Sequence, residues 1–184
     1  MPSTQNTTLF SLGNTTPPMK HGSVEIVDEH DNPLCVIALP DASQQTLRHR
    51  AVLVLVYDER GRLYLQKRSR KKTLYPGRWD LSATGHVEVG ESREDAAIRE
   101  LYEELGVRVT GLRFVHDVPA SHSTGYAFVS LYSAGRVTAR LKTNPEEVSG
   151  GMYVDEEELA LLVRDFRDQL TPAIVTFWEL GMLF

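Results

Sequence analysis

The stretch Gly85–Val107 reads GHVEVGESREDAAIRELYEELGV, and the rest of the chain is interpreted outward from it. Ser92 is a good N-cap, and Asp95 three residues later resembles a capping box with Asp in place of Glu. Gly106 stands where a helix ends on a left-handed residue, so the spacing predicts a helix bounded by Ser92 and Leu105. At about 100° per residue, Glu100, Glu103 and Glu104 share one narrow arc of that helix. Ile98, Leu101 and Leu105 fall on a roughly opposite arc, which gives the helix a core face and an acidic face. Like charges three or four residues apart repel by about 0.2–0.5 kcal/mol per pair. Anions near a helix C-terminus also oppose the macrodipole, by about 0.3–1 kcal/mol each. A solvated acidic face is the bland explanation for such a cluster, whereas a bound divalent cation would remove the cost. Gly85 and Gly90 bracket the loop that leads into the helix, which suits tight backbone turns near a ligand.

The order Gly85, Glu91, Arg99-Glu100-Leu101, Glu103-Glu104, Gly106-Val107 resembles a complete Nudix box, with all nine fixed positions filled over 23 of the 184 residues. The resemblance implies that Glu100, Glu103 and Glu104, with the Gly85 carbonyl, ligate Mg²⁺ or Mn²⁺. It implies that Glu91 pairs with Arg99 and braces the loop against the helix. The implied activity is a pyrophosphohydrolase that cleaves a diphosphate linked to another moiety, with a nucleoside-diphosphate type of substrate as the first expectation. Glu103 is the expected base, with Glu147 behind it; Glu104, Arg99 and Glu91 complete the expected catalytic set. Clustered carboxylates are what this chemistry needs, because a cation lets them stay ionised together and offsets phosphoryl charge.

A wider likeness runs from Val24 to Phe177. Val24–Glu29, His49-Arg50-Ala51-Val52, Gln66-Lys67-Arg68, Tyr75–Asp80, Ala83-Thr84-Gly85-His86, Glu146-Glu147-Val148 and Val154–Glu157 are similar to the isopentenyl-diphosphate isomerase branch of the same family. In true isomerases a catalytic cysteine precedes the Gly-His pair; here that residue is Thr84, a far weaker acid and a poor proton carrier. The isomerases also carry an acid in a strand after the box, and Tyr126-Ala127-Phe128-Val129 has none. An isomerase is therefore the second reading, and a nucleotide-binding regulatory module with decayed catalysis the third. His49 and His86 match two positions that hold metal in the isomerase; a hydrogen-bonded structural role is the alternative for each.

Lys67, Arg68, Arg70, Lys71 and Lys72 form a basic run before the box. Most such residues line a solvated loop, but Lys67 and Arg68 end a strand beside the expected site and are the candidates for substrate phosphate. Arg78 is a weaker one. Glu147 is a candidate on the substrate side, and Trp79 reads as core.

A hydrophobic fraction of 41% and a charged fraction of 24% describe an ordinary globular protein with one core. Net charge −5 gives no general reason to expect nucleic acid or a membrane surface as partner. The single cysteine, Cys35, excludes an internal disulfide framework and fits a reducing, cytoplasmic setting. Lying in the apolar run Leu34–Leu39, it reads as a buried structural thiol. No apolar run is long enough to span a bilayer, and no secretory signal is apparent at the start. A homodimer is compatible with the sequence but not demanded by it.

Residues 1–20, rich in Ser, Thr, Asn and Pro, read as a flexible arm, and 21–184 as a single domain. Val24–Val27 and Leu34–Leu39 flank a turn, Ala51–Tyr57 reads as a central strand, and Leu63–Lys67 alternates Leu63 and Leu65 against Arg62, Tyr64 and Gln66. Further strands are expected at Arg108–Val118, Tyr126–Ala134 and Arg136–Leu141, and Met152–Val154 leads into the acidic turn at Asp155. Helices are expected after Asp155 and after Thr171-Pro172, the latter with Ile174, Phe177 and Trp178 inward. Strands on both sides of one helix, followed by C-terminal helices, make an α/β protein. The Nudix resemblance implies the same: an α/β/α sandwich with a mixed central sheet.

Overall fold

The computed structural model describes residues 22–184. The expected arm, 1–20, lies outside them. The elements are β1 (Ser23–Val27), β2 (Pro33–Ala38), α1 (Leu39–Gln44), β3 (His49–Tyr57), β4 (Leu63–Arg68), β5 (Trp79–Asp80), β6 (Ala83–His86), α2 (Arg93–Leu105), β7 (Arg113–Val118), β8 (Ala127–Arg136), β9 (Val148–Val154), α3 (Glu156–Asp165) and α4 (Pro172–Glu179).

β3 organises the molecule. It pairs in parallel with β8 from His49↔Ala127 to Tyr57↔Arg136, and antiparallel with β6 from Ala51↔His86 to Val54↔Ala83. β4 meets β3 only at Tyr57↔Leu63 and then turns to β9 and β5, all antiparallel, so with the parallel β3–β8 pair the sheet is mixed. Both faces of β3 are buried. Ala51, Leu53 and Leu55 pack with Leu159, Val163, Ile174 and Phe177 of α3 and α4. Val52, Val54 and Val56 pack with Ala96, Ala97, Leu101 and Leu105 of α2. The result is α2, sheet, then α3 and α4: the expected α/β/α sandwich. A strand covered on both faces reads as a continuous apolar run rather than an alternation.

α2 starts and stops as its caps dictate. Ser92 Oγ accepts from the Asp95 N–H at 3.0 Å, while the Asp95 carboxylate takes the Ser92 hydroxyl at 2.6 Å rather than its backbone N–H, leaving half a capping box. Gly106 closes the helix at φ 67°, in the left-handed region.

Several expectations are corrected. β4 does not alternate between buried and exposed: Tyr64 and Gln66 are buried as well as Leu63 and Leu65, because α2 covers the second face. Arg136–Leu141 is not a strand. β8 ends at Arg136, just after Gly135 (φ 66°), and the chain beyond it closes the end of α2: Lys142 N–H donates to Leu105 O at 2.8 Å and Asn144 N–H to Glu104 O at 3.0 Å. Leu39 opens a short helix instead of ending a strand. Cys35 is exposed, because β2 is the outer strand of a two-stranded hairpin whose small core is Val24, Ile26 and Ala42. No described helix is long and apolar enough to cross a membrane.

Candidate active site

The site forms where β6 and the following loop meet the last two turns of α2. Gly85 sits opposite Val52 in the sheet, and Glu100 lies directly against it. A Cβ on Gly85 would come within 2.0 Å of the Glu100 carboxyl carbon and Oε1, so only glycine leaves room for this approach. Glu104, two per cent exposed, points under β6, where its Oε2 accepts from Thr84 N–H and from Gln66 Nε2, each at 2.9 Å. Glu103 is the solvent-facing member, with half its side chain exposed. The three glutamates thus share one helix arc but occupy three environments, unlike a uniformly solvated face.

Arg99 ties the loop to the helix. Its Nε and Nη2 grip the two oxygens of Glu91 at 2.9 and 3.0 Å, and Nη2 also donates to His86 O at 2.9 Å. Its Nη1 reaches Glu100 Oε1 at 2.7 Å and Glu103 Oε2 at 3.3 Å. Such a forked pair fixes direction as well as charge. Hydrogen bonding to Glu91, ahead of the charge of Glu100, raises the Arg99 pKa further, so it remains a cation throughout. The bracing expected between Glu91 and Arg99 is present.

Burial raises Glu104 to about 8, helped by the charge of Glu100 and opposed by the bonds from Thr84 and Gln66. Burial also raises Glu100 to about 7, against the pull of Arg99. The positive charge of Lys72 opposes both shifts. Burial lowers His49, and burial with the neighbouring His49 lowers His86 to about 3, so both rings are neutral near pH 7. His49 Nδ1 meets the Leu47 carbonyl at 2.8 Å, which can only accept, so that nitrogen carries the hydrogen. His49 Nε2 is then the acceptor for His86 Nδ1–H at 3.1 Å.

Among the described residues, no three His, Cys, Asp or Glu side chains form a closed metal-holding group. Glu100 and Glu103 share Arg99, Glu104 is held from below, and the two histidines bond to each other. A hard divalent cation nevertheless fits the donors present. They are oxygens, two are carboxylates whose burial Arg99, Thr84 and Gln66 only partly offset, and the Gly85 cradle keeps one of them against a backbone segment.

The basic run divides. Arg68 is buried, donating to Asp80 Oδ2 at 3.0 Å, Leu74 O at 3.1 Å and Thr84 Oγ1 at 3.3 Å, and is thereby committed to the protein. Asp80 in turn accepts from Thr171 Oγ1 at 2.7 Å, and so Thr171 makes no side-chain cap on α4. Lys67 lies 4.9 Å over the ring of Trp79, which is partly buried against the core. Arg78 donates to Leu170 O at 3.2 Å. Lys71 pairs with Glu146 at 2.6 Å, and Lys72 with Glu147. Sequence reasoning missed Gln66, Lys72 and the Thr84 N–H as parts of the site. Lys72 was in plain view inside the basic run, but only the fold brings its charge to bear on Glu100 and Glu104.

This geometry has relatives. The NUDIX domain pattern matches residues 47–174. The chain is 37% identical over 139 residues to an uncharacterized Nudix hydrolase of Pseudomonas aeruginosa, covering 73% of this chain and 79% of that protein. It is 38% identical over 143 residues to an isopentenyl-diphosphate Δ-isomerase of Streptomyces coelicolor, covering 74% and 72%. Among solved structures, DR0079 of Deinococcus radiodurans superposes with a TM-score of 0.73 at 25% identity, covering 88% of this chain and 99% of that one. The fold is the α/β/α sandwich of a hydrolase. The chain belongs to the Nudix hydrolase family.

Proposed function

We propose that this protein hydrolyses the diphosphate linkage of a small-molecule substrate, of nucleoside-diphosphate type, with Mg²⁺ or Mn²⁺. The observation that carries this reading is the packing of Glu100 and Glu104 against β6 with Arg99 and Glu91 bracing them, an arrangement whose buried negative charge calls for a cation. Glu100, Glu103, Glu104 and the Gly85 carbonyl hold the ion. When bound, it offsets phosphoryl charge and acidifies water for in-line attack. Glu103, exposed and not buried like its neighbours, takes the proton of the attacking water at its Oε1, with Glu147 the second candidate for this role. Arg99 holds Glu100 and Glu103 in register, and Glu91 holds Arg99.

Lys72, whose charge acts on Glu100 and Glu104 and which pairs with Glu147, meets a substrate phosphate, with Glu147 orienting it and Lys67 contributing a second ammonium. Arg68 supports the loop from beneath through Asp80. A cytoplasmic location accords with the single cysteine. The isomerase reading is weaker: Thr84 occupies the position of the cysteine, and β8 opens with Ala127-Phe128-Val129, which carries no acid.

The test is phosphate and nucleotide release from a broad diphosphate panel with Mn²⁺ or Mg²⁺, run on wild type and Glu103→Gln. Isopentenyl diphosphate is included and its double-bond position followed. Cleavage that collapses in the variant supports the proposal. Double-bond migration without phosphate release would sink it in favour of an isomerase.

A further inference from the structure

Gln66 is fully buried in the middle of β4, and its amide makes one hydrogen bond, from Nε2 to Glu104 Oε2. Its Oε1 is the one buried side-chain nitrogen or oxygen among the described residues without a partner. A half-satisfied buried amide costs more to fold than an apolar side chain of the same shape. Stability therefore does not explain a glutamine at this position. What it supplies is one donor aimed at one carboxylate oxygen.

That donor has a geometric effect. A carboxylate turns freely about its terminal torsion unless something holds it. The Thr84 N–H and Gln66 Nε2 both grip Oε2, so Oε1 is left as the open acceptor. The Thr84 N–H belongs to the sheet and comes with the fold, whereas the Gln66 donor is a choice of side chain.

We propose that Gln66 is a positioning residue that fixes the Glu104 carboxylate so that Oε1 faces the bound cation. The inference rests on the reading of Glu104 as a metal ligand. Groups that orient ligating side chains commonly change metal affinity by about 10–100-fold.

The experiment is titration of the full chain with Mn²⁺ alone, followed by calorimetry and by the loss of the free-ion paramagnetic signal. Gln66→Met keeps the shape and removes the donor, and Gln66→Leu serves if the first fails to fold. The expected result is a melting temperature in EDTA equal to or above wild type, with an Mn²⁺ Kd weaker by about 10–100-fold. An Mn²⁺ Kd within about twofold of wild type in a folded variant overturns the proposal, whatever its melting temperature. Glu104→Gln separates the two levels. If it too keeps wild-type affinity, Glu104 is not a ligand and both readings fall. If it loses affinity while Gln66→Met does not, only the role of Gln66 falls.

Discussion

Gly85→Ala is the sharpest probe of the site. The added Cβ would lie 2.0 Å from the Glu100 carboxyl carbon and Oε1 and 2.4 Å from its Cγ. Ordinary carbon contacts sit at about 3.5–4 Å, so the carboxyl must retreat by roughly 1.5 Å. Glu100 has little space for this, being 14% exposed and tied to Arg99 at 2.7 Å. Overpacking of this kind costs about 1–3 kcal/mol, softened here because the clash falls on a side chain and not on backbone. In a domain of this size that lowers the melting temperature by about 2–12 °C. The activity should suffer far more, since a displacement of about 1 Å in a catalytic group can cost about 100-fold in rate. The assay pairs thermal unfolding in EDTA with Mn²⁺-dependent turnover well below the transition. Gly90→Ala is the control: at φ 79° it strains the backbone, but its Cβ meets nothing within 4 Å, so it should lose stability without a comparable loss of metal-dependent rate. Turnover by Gly85→Ala within about threefold of wild type would refute the claim that Glu100 must lie against this backbone to act.

Metal should stabilise the protein more as pH rises. Glu104 and Glu100 stand at about 8 and about 7 in the fold against an ordinary 4.5, so the metal-free fold keeps protons that the unfolded chain has released. Their contribution is therefore full below pH 4.5 and is lost as pH climbs toward 8, while a cation replaces those protons. Equal Mn²⁺-induced shifts in melting temperature at both ends of that window would contradict this. Asp80→Ala leaves the buried Arg68 guanidinium unpaired and should cost about 3–5 kcal/mol in urea unfolding; a loss below about 1 kcal/mol would show the pair to be dispensable. Lys72→Ala should raise KM for a diphosphate substrate by at least about tenfold with a smaller change in kcat, and an unchanged KM would remove Lys72 from the substrate side.

The parts of the fold legible in the sequence are those with local causes. Ser92 and Gly106 bound α2 because caps act through the nearest turn. Ala51–Val56 declares a central strand because both its faces are covered. What escaped depends on neighbours far along the chain. Gln66 looks like the polar half of an alternation until α2 is laid over it. Arg68 looks like a phosphate ligand until Asp80, twelve residues on, is brought beneath it. Cys35 sits in an apolar run like many core cysteines, but nothing in that run says the hairpin has only β1 for a neighbour. In the site, the box residues were legible because their chemistry is peculiar; the residues that support them are ordinary ones in unusual places.

The segment after β8 carries a consequence for the acids themselves. A helix that ends in glutamates has a negative pole facing negative side chains, and here that pole is covered from outside by the amides of Lys142 and Asn144. Part of the repulsion at the cluster is thus absorbed by a loop that contributes no side chain to it. The same loop goes on to Glu146 and Glu147, which reach Lys71 and Lys72 of the basic run. One stretch of irregular chain therefore sets the electrical background of the helix end and anchors the cationic loop opposite it. Lengthening or shortening that stretch would retune both poles at once while every box residue stayed in place.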